Sequence, residues 1–115
     1  MATRPEQDRV FAESEGNAWF QRNAAALGHG DKDDQVLAML AQLDPQRLAR
    51  IGTVCDIGCA DGSRLARLRA SLPGASRFAG FDASAEAVAA GSTAFQGLEL
   101  AQGLACEPPV SGPFD

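Results

Sequence analysis

Val54-Cys55-Asp56-Ile57-Gly58-Cys59-Ala60-Asp61-Gly62 is the stretch on which the fold turns. From Ile51 to Ile57 the sequence is short, apolar and carries β-branched residues, which predicts a strand buried on both faces. The small residues from Gly58 to Gly62 predict a tight turn that lets a ligand approach the backbone closely. Ser63 is placed to cap a helix running through Leu72, with Leu65, Leu68 and Leu72 on its inner face. A helix start presents unpaired N–H groups and a partial positive charge, so a carboxylate or phosphate is welcome there.

Outward from this stretch toward the C-terminus, the same alternation repeats. Pro73-Gly74 ends the helix, and Arg77 to Phe81 predicts a second short strand with Asp82 at its end. Ser84 predicts the cap of an alanine-rich helix, Ala85 to Ala90, closed by Gly91. Leu98 to Ala101 is a third strand candidate, and Pro108, Pro109 and Pro113 keep the tail irregular to Asp115. Strands alternating with helices predict right-handed crossovers and a parallel sheet. Asp82 stands twenty residues beyond Gly62, where a nucleotide-binding α/β sheet meets ribose hydroxyls with a carboxylate.

Toward the N-terminus the period is helical. Asn17 to Leu27, with three consecutive alanines, predicts a helix capped by Asn17 and stopped by Gly28-His29-Gly30. Asp31, Asp33 and Asp34 load the start of a second helix with negative charge, which suits its dipole. Val36, Leu37, Leu40 and Leu43 share one apolar face of it, and Asp44-Pro45 ends it or begins a further turn.

Composition narrows the function. The chain has 115 residues, 45% of them hydrophobic and 22% charged, which predicts an ordinary globular domain. A formal net charge of -5 lacks the phosphate-neutralising footprint of a nucleic-acid binder. No apolar run reaches the ~20 residues of a membrane span. Met1 to Asp8 is polar and has no signal-peptide core, so a soluble cytoplasmic protein is expected. Cys55, Cys59 and Cys106 are an odd number, which does not suit a disulfide framework. His29 is far from them, so no metal site is expected. Cys55 reads as a small core residue and Cys59 as a filler of the turn.

Two nucleotide classes compete for the turn. Gly58, Ala60 and Ser63 occupy the three glycine positions of a dinucleotide fingerprint, so two of three glycines are missing. Asp56 is awkward beside a pyrophosphate and suits a ligand carrying an ammonium group. On these residues the chain resembles the class I S-adenosylmethionine-dependent methyltransferases over about residues 50–115. Val54 to Gly62 is similar to their first motif, with Ala60 for the usual middle glycine. Phe78-Ala-Gly-Phe-Asp-Ala-Ser-Ala-Glu-Ala-Val88 is similar to the second, in which the acid holds the ribose. Gln102-Gly-Leu-Ala-Cys-Glu-Pro108 is similar to the third region, beside the adenine. Leu104 stands there in place of an acid, and Glu107 is the nearby carboxylate that could replace it. Pro113-Phe-Asp115 resembles the approach to a fourth strand.

The resemblance implies a Rossmann-like three-layer α/β sandwich, of which only the first three parallel strands of a seven-stranded sheet are present. Residues 1–48 would form an amino-terminal helical lid, and 49–115 the cofactor-binding half of a truncated methyltransferase domain. The implied cofactor is S-adenosyl-L-methionine, held by Asp56, Gly58, Cys59, Ala60, Gly62, Asp82, Ala83 and Leu104. Phe11 to Asn23 is similar to the leading helix of some bacterial methyltransferases of sugar or surface-polysaccharide pathways. That likeness implies Trp19 over the cofactor and Arg22 near its carboxylate. The acceptor would be a small molecule or saccharide, neither nucleic acid nor membrane, and no residue presents itself as the catalytic base. The free edge of the first strand implies homodimerisation or aggregation. A non-catalytic methyltransferase-like binding module is the alternative, and an NAD(P)-binding oxidoreductase is disfavoured by the glycine mismatch. Plain structural readings stand beside these: Asp82 as an acid at a helix start, Trp19 as a packed aromatic, Arg22 as a surface ion-pair partner.

Overall fold

The structure, a computed structural model, describes residues 6–27 and 34–115. His29, Asp31 and Asp33, and the glycines expected to stop the first helix, lie outside the described residues.

The sheet is built from β1 (Thr53–Ile57), β2 (Arg77–Asp82) and β3 (Glu99–Gln102), in the order β1-β2-β3 and all parallel. Helix α5 (Ser63–Ser71) joins β1 to β2, and α6 (Ala85–Ala94) joins β2 to β3. This is the open, Rossmann-like α/β arrangement expected from the alternation of elements. Register places Val54 beside Phe78, and Gly80 beside Leu100. These residues share the face on which α5 packs, since side chains alternate along a strand. Leu65, Leu68 and Leu72 of the α5 region are 0%, 4% and 3% exposed and form the core with Phe78 and Cys59. A Cβ on Gly80 would lie 2.7 Å from Leu65 Cδ1, so the strand residue under α5 must be small. On the opposite face Arg77 pairs with Glu99 and lies under the Phe114 ring, 4.7 Å from its centroid.

Several local readings needed correction. The amino-terminal helix does not start at Asn17. Helix α1 (Glu6–Val10), a π-helical turn (Phe11–Glu15) and α2 (Gly16–Leu27) follow one another directly. Asn17 caps another helix instead: its Oδ1 accepts from Ser84 Oγ at 2.7 Å and Glu86 N at 3.1 Å, at the start of α6. Ser63 is not the cap of α5 either. Gly62, at φ +80°, holds the cap position, and Asp61 Oδ1 accepts from Ser63 N. Gly91 does not close α6 but lies inside it, and it must be glycine there because a Cβ would fall 2.0 Å from Asp61 O. β1 is half-buried rather than buried on both faces, and Ile57 is 62% exposed.

The remaining caps follow the sequence. Ser84 Oγ accepts from Ala87 N at 3.1 Å. Asp34 caps α3 (Gln35–Leu40), and Asp44 caps α4 (Pro45–Ala49), the further turn left open at Asp44-Pro45. Leu37 and Leu40 of α3 pack against the core, whereas Val36 and Leu43 of the expected apolar face stay exposed.

Candidate functional site

The turn between β1 and α5 departs from ordinary backbone at three alternate positions. Gly58 has φ +77°, Ala60 φ +51° and Gly62 φ +80°. Ala60 is the strained member, since a left-handed conformation costs an alanine ~1–2 kcal/mol. The turn is pinned from β2: Gly58 N and Cys59 N both donate to Phe81 O, at 2.8 and 3.1 Å. Asp82 completes the attachment. Its Oδ2 accepts from Ala60 N and its Oδ1 from Ser84 N, each at 2.9 Å. Both oxygens are therefore engaged with backbone, yet each keeps a second lone pair for a ligand hydroxyl.

Two clefts adjoin at Gly58, at the carboxyl ends of β1 and β2. One, of about 250 Å³, is bounded by Phe11, Ile57, Asp82, Ala83 and Leu104. The other, of about 280 Å³, is bounded by Trp19, Asp56, Cys59, Ala60, Arg64 and Arg67. A Cβ built on Gly58 meets nothing within 4 Å, so the shared wall of the two clefts is bare backbone. Trp19 is 41% exposed, so it is not a packed core aromatic.

The second cleft holds opposite charges. Burial pushes the Asp56 carboxyl up, Arg64 pulls it down, and Asp34 and Asp82 push it up again. Burial, with the carboxylates of Asp56 and Asp82 adding to it, pushes the Cys59 thiol up to about 12. Cys59 is therefore a neutral wall of the cleft and no nucleophile. Arg64 Nε donates to Asp34 Oδ2 at 3.0 Å, and Arg67 Nη2 donates to the same oxygen at 3.1 Å. Among the described residues no group of His, Cys, Asp and Glu could hold a metal ion.

The sequence-derived site residues separate into three groups. Asp56, Gly58, Cys59, Ala60, Asp82, Ala83 and Leu104 all border the two clefts. Gly62 borders neither; it is buried, and a Cβ there would press on Leu100 and Leu98 at 3.1 and 3.2 Å. Arg22 borders neither, and its Nη2 lies 2.6 Å from Glu15 Oε1, an exposed ion pair of little energetic consequence. Glu107 N donates to Leu104 O, closing a local bridge beside the first cleft. Sequence reading passed over Arg64, Arg67 and Phe11. The signal for the arginines was their i,i+3 spacing on the helix that leaves the glycine turn.

Solved structures resemble the chain, among them the two that follow. One is from the complex between the Haloferax volcanii Trm112 methyltransferase activator and a chain assigned as a methyltransferase, at 24% identity and TM-score 0.48; the match covers 94% of this chain and 43% of that one. The other is S-adenosylmethionine-bound CalS10, an amino pentose methyltransferase from Micromonospora echinaspora involved in calicheamicin biosynthesis, at 15% identity and TM-score 0.49; it covers 99% of this chain and 41% of that one. The chain thus spans less than half the length of either. No family model and no curated protein matches it. No helix among the described residues is long and apolar enough to cross a membrane.

Proposed function

We propose that the chain is the S-adenosyl-L-methionine-binding portion of a methyltransferase acting on a small-molecule or saccharide acceptor. One observation carries the reading: of the two clefts that meet at Gly58, one is bordered by Asp82 and the other by Asp56 and Arg64. A ribose-bearing ligand with a charged amino-acid end matches that order of groups. The bare backbone at Gly58 is where such a ligand would pass. In this reading residues 49–115 form the cofactor-binding part, and the helices of residues 1–48 bring Phe11 and Trp19 over it.

When bound, the cofactor supplies a methyl group on a positively charged sulfur. The work left to this chain is orientation. Asp82 would hold the ribose through its free lone pairs, while its bonds to Ala60 and Ser84 keep the carboxylate from turning. Asp56 would face the ligand's ammonium. An NAD-type pyrophosphate would have to lie against the same Asp56, which is electrostatically unfavourable.

Titration calorimetry with S-adenosylhomocysteine and NAD tests the reading. S-adenosylhomocysteine should bind and NAD should not. Asp82→Ala should weaken that binding by ~1.5–3 kcal/mol per charge-assisted hydrogen bond lost. Preferential binding of NAD would reverse the choice of cofactor. Tight S-adenosylhomocysteine binding with no methyl transfer to a broad acceptor panel would instead favour the non-catalytic binding module.

A further inference from the structure

The second cleft contains a carboxylate and a guanidinium that feel one another's charge but share no hydrogen bond or ion pair. Among the described residues Asp56 makes no hydrogen bond and no ion pair, although it borders the cleft with Arg64. Arg64 has one anchored atom: its Nε donates to Asp34 Oδ2, while its two Nη groups have no partner among the described residues. Its side chain is 44% exposed.

The anchor is well made. Asp34 has only 3% of its side chain exposed. Its Oδ1 accepts from Val36 N and Leu37 N at 3.0 and 3.3 Å, and its Oδ2 takes both arginines. A carboxylate fixed by two backbone N–H groups cannot turn to follow a mobile arginine. It therefore sets the plane of the Arg64 guanidinium and leaves the Nη edge free for a second, planar anion.

We propose that Arg64, held in place by Asp34, binds the carboxylate of an α-amino-acid head group whose ammonium faces Asp56. The inference rests on the cofactor reading above and assigns its charged end. It replaces Arg22, which is spent on Glu15 outside both clefts. Arg64 is the binding residue and Asp34 the positioning residue. A zwitterion suits the pair because each of its charges meets a group that has unfilled hydrogen-bonding capacity and a partly desolvated setting.

The test compares two ligands on the full chain: S-adenosylhomocysteine, and methylthioadenosine, which has the same nucleoside and thioether but no amino-acid head. Wild type should bind S-adenosylhomocysteine more tightly. Arg64→Gln should lower that affinity roughly tenfold to a hundredfold, the range of a lost charged hydrogen bond, and leave methylthioadenosine unchanged. Asp34 keeps Arg67 as its partner in Arg64→Gln, so folding should survive, and a thermal melt checks it. Asp34→Asn retains an acceptor oxygen for the α3 cap and should shift selectivity in the same direction by less. Equal losses for both ligands, or unchanged S-adenosylhomocysteine affinity in folded Arg64→Gln, would overturn the assignment and leave the cofactor reading standing. Failure of wild type to bind either ligand would sink the cofactor reading itself, and the assignment with it.

Discussion

Asp34 shows how one side chain can join two functions. It caps α3 and braces the two arginines of α5, from a position remote in sequence from both motifs. Burial alone would push its carboxyl up. The Arg64 and Arg67 hydrogen bonds, the Leu37 N–H and the Arg64 charge outweigh it and bring the group down to about 2, from 3.8. A depressed folded-state value means stabilisation that is complete above the unfolded value and lost as pH falls through the folded one. With Arg64 half-exposed and partly screened, the contribution is on the order of 1–2 kcal/mol. Asp34→Asn should therefore lower the urea midpoint at pH 7, and the gap to wild type should close as pH falls from 3.8 toward about 2. A gap that still has its full neutral-pH size at pH 2 would mean that the loss comes from packing and not from charge. Sequence reading saw Asp34 as dipole chemistry at a helix start. It could not see the arginines, because the pairing joins residues 30 and 33 positions apart.

At the scale of elements, what was legible was whatever a local rule controls. The β1 turn, the inner face of α5, the Ser84 cap and the acid at the end of β2 all follow from spacing and side-chain type. What was not legible depends on a neighbour brought in by the fold. Gly91 looked like a helix stop, yet it is the point where α6 passes against Asp61 O. Asn17 looked like the cap of its own helix, yet it serves α6. Gly16 next to it makes that possible, since a Cβ there would lie 3.2 Å from Ser84 N. Gln21 adds a second tie by donating to both carboxylate oxygens of Glu86, at 2.8 and 3.0 Å. Asn17→Ala should remove the acceptor for Glu86 N and Ser84 Oγ and cost about 1 kcal/mol, as loss of a cap does. Hydrogen exchange should quicken at Glu86 N and along α2, and remain unchanged in β2. Acceleration confined to α2 would mean that α6 does not depend on this tie.

At the scale of the whole molecule the two sides of the sheet differ. One carries α5, α6 and the apolar core. On the other lie the Arg77–Glu99 pair, Phe114 and the exposed Ile57. β1 is also an edge strand in this sheet. The tail meets it only at its start: Asp115 Oδ2 accepts from Gly52 N, Thr53 N and Thr53 Oγ1 at 2.9, 3.0 and 3.1 Å, and Asp115 N donates to Thr53 O at 3.3 Å. Beside this edge lies an apolar cavity of about 320 Å³, bordered by Val36, Leu40, Ile51, Leu68 and Phe114. An edge with unpaired backbone beside an apolar hollow is adhesive, and natural sheets blunt such edges with charge. The chain should accordingly self-associate as its concentration rises, with light-scattering mass moving above the monomer value. Ile57→Lys should suppress that rise at little cost in stability, because the residue is already 62% exposed. Asp115→Ala, which frees the Gly52 and Thr53 donors, should strengthen it. A monomer mass that holds across the concentration range in all three proteins would show that the three bonds accepted by Asp115 Oδ2 are not what guards the edge, and that β1 does not pair with a second copy.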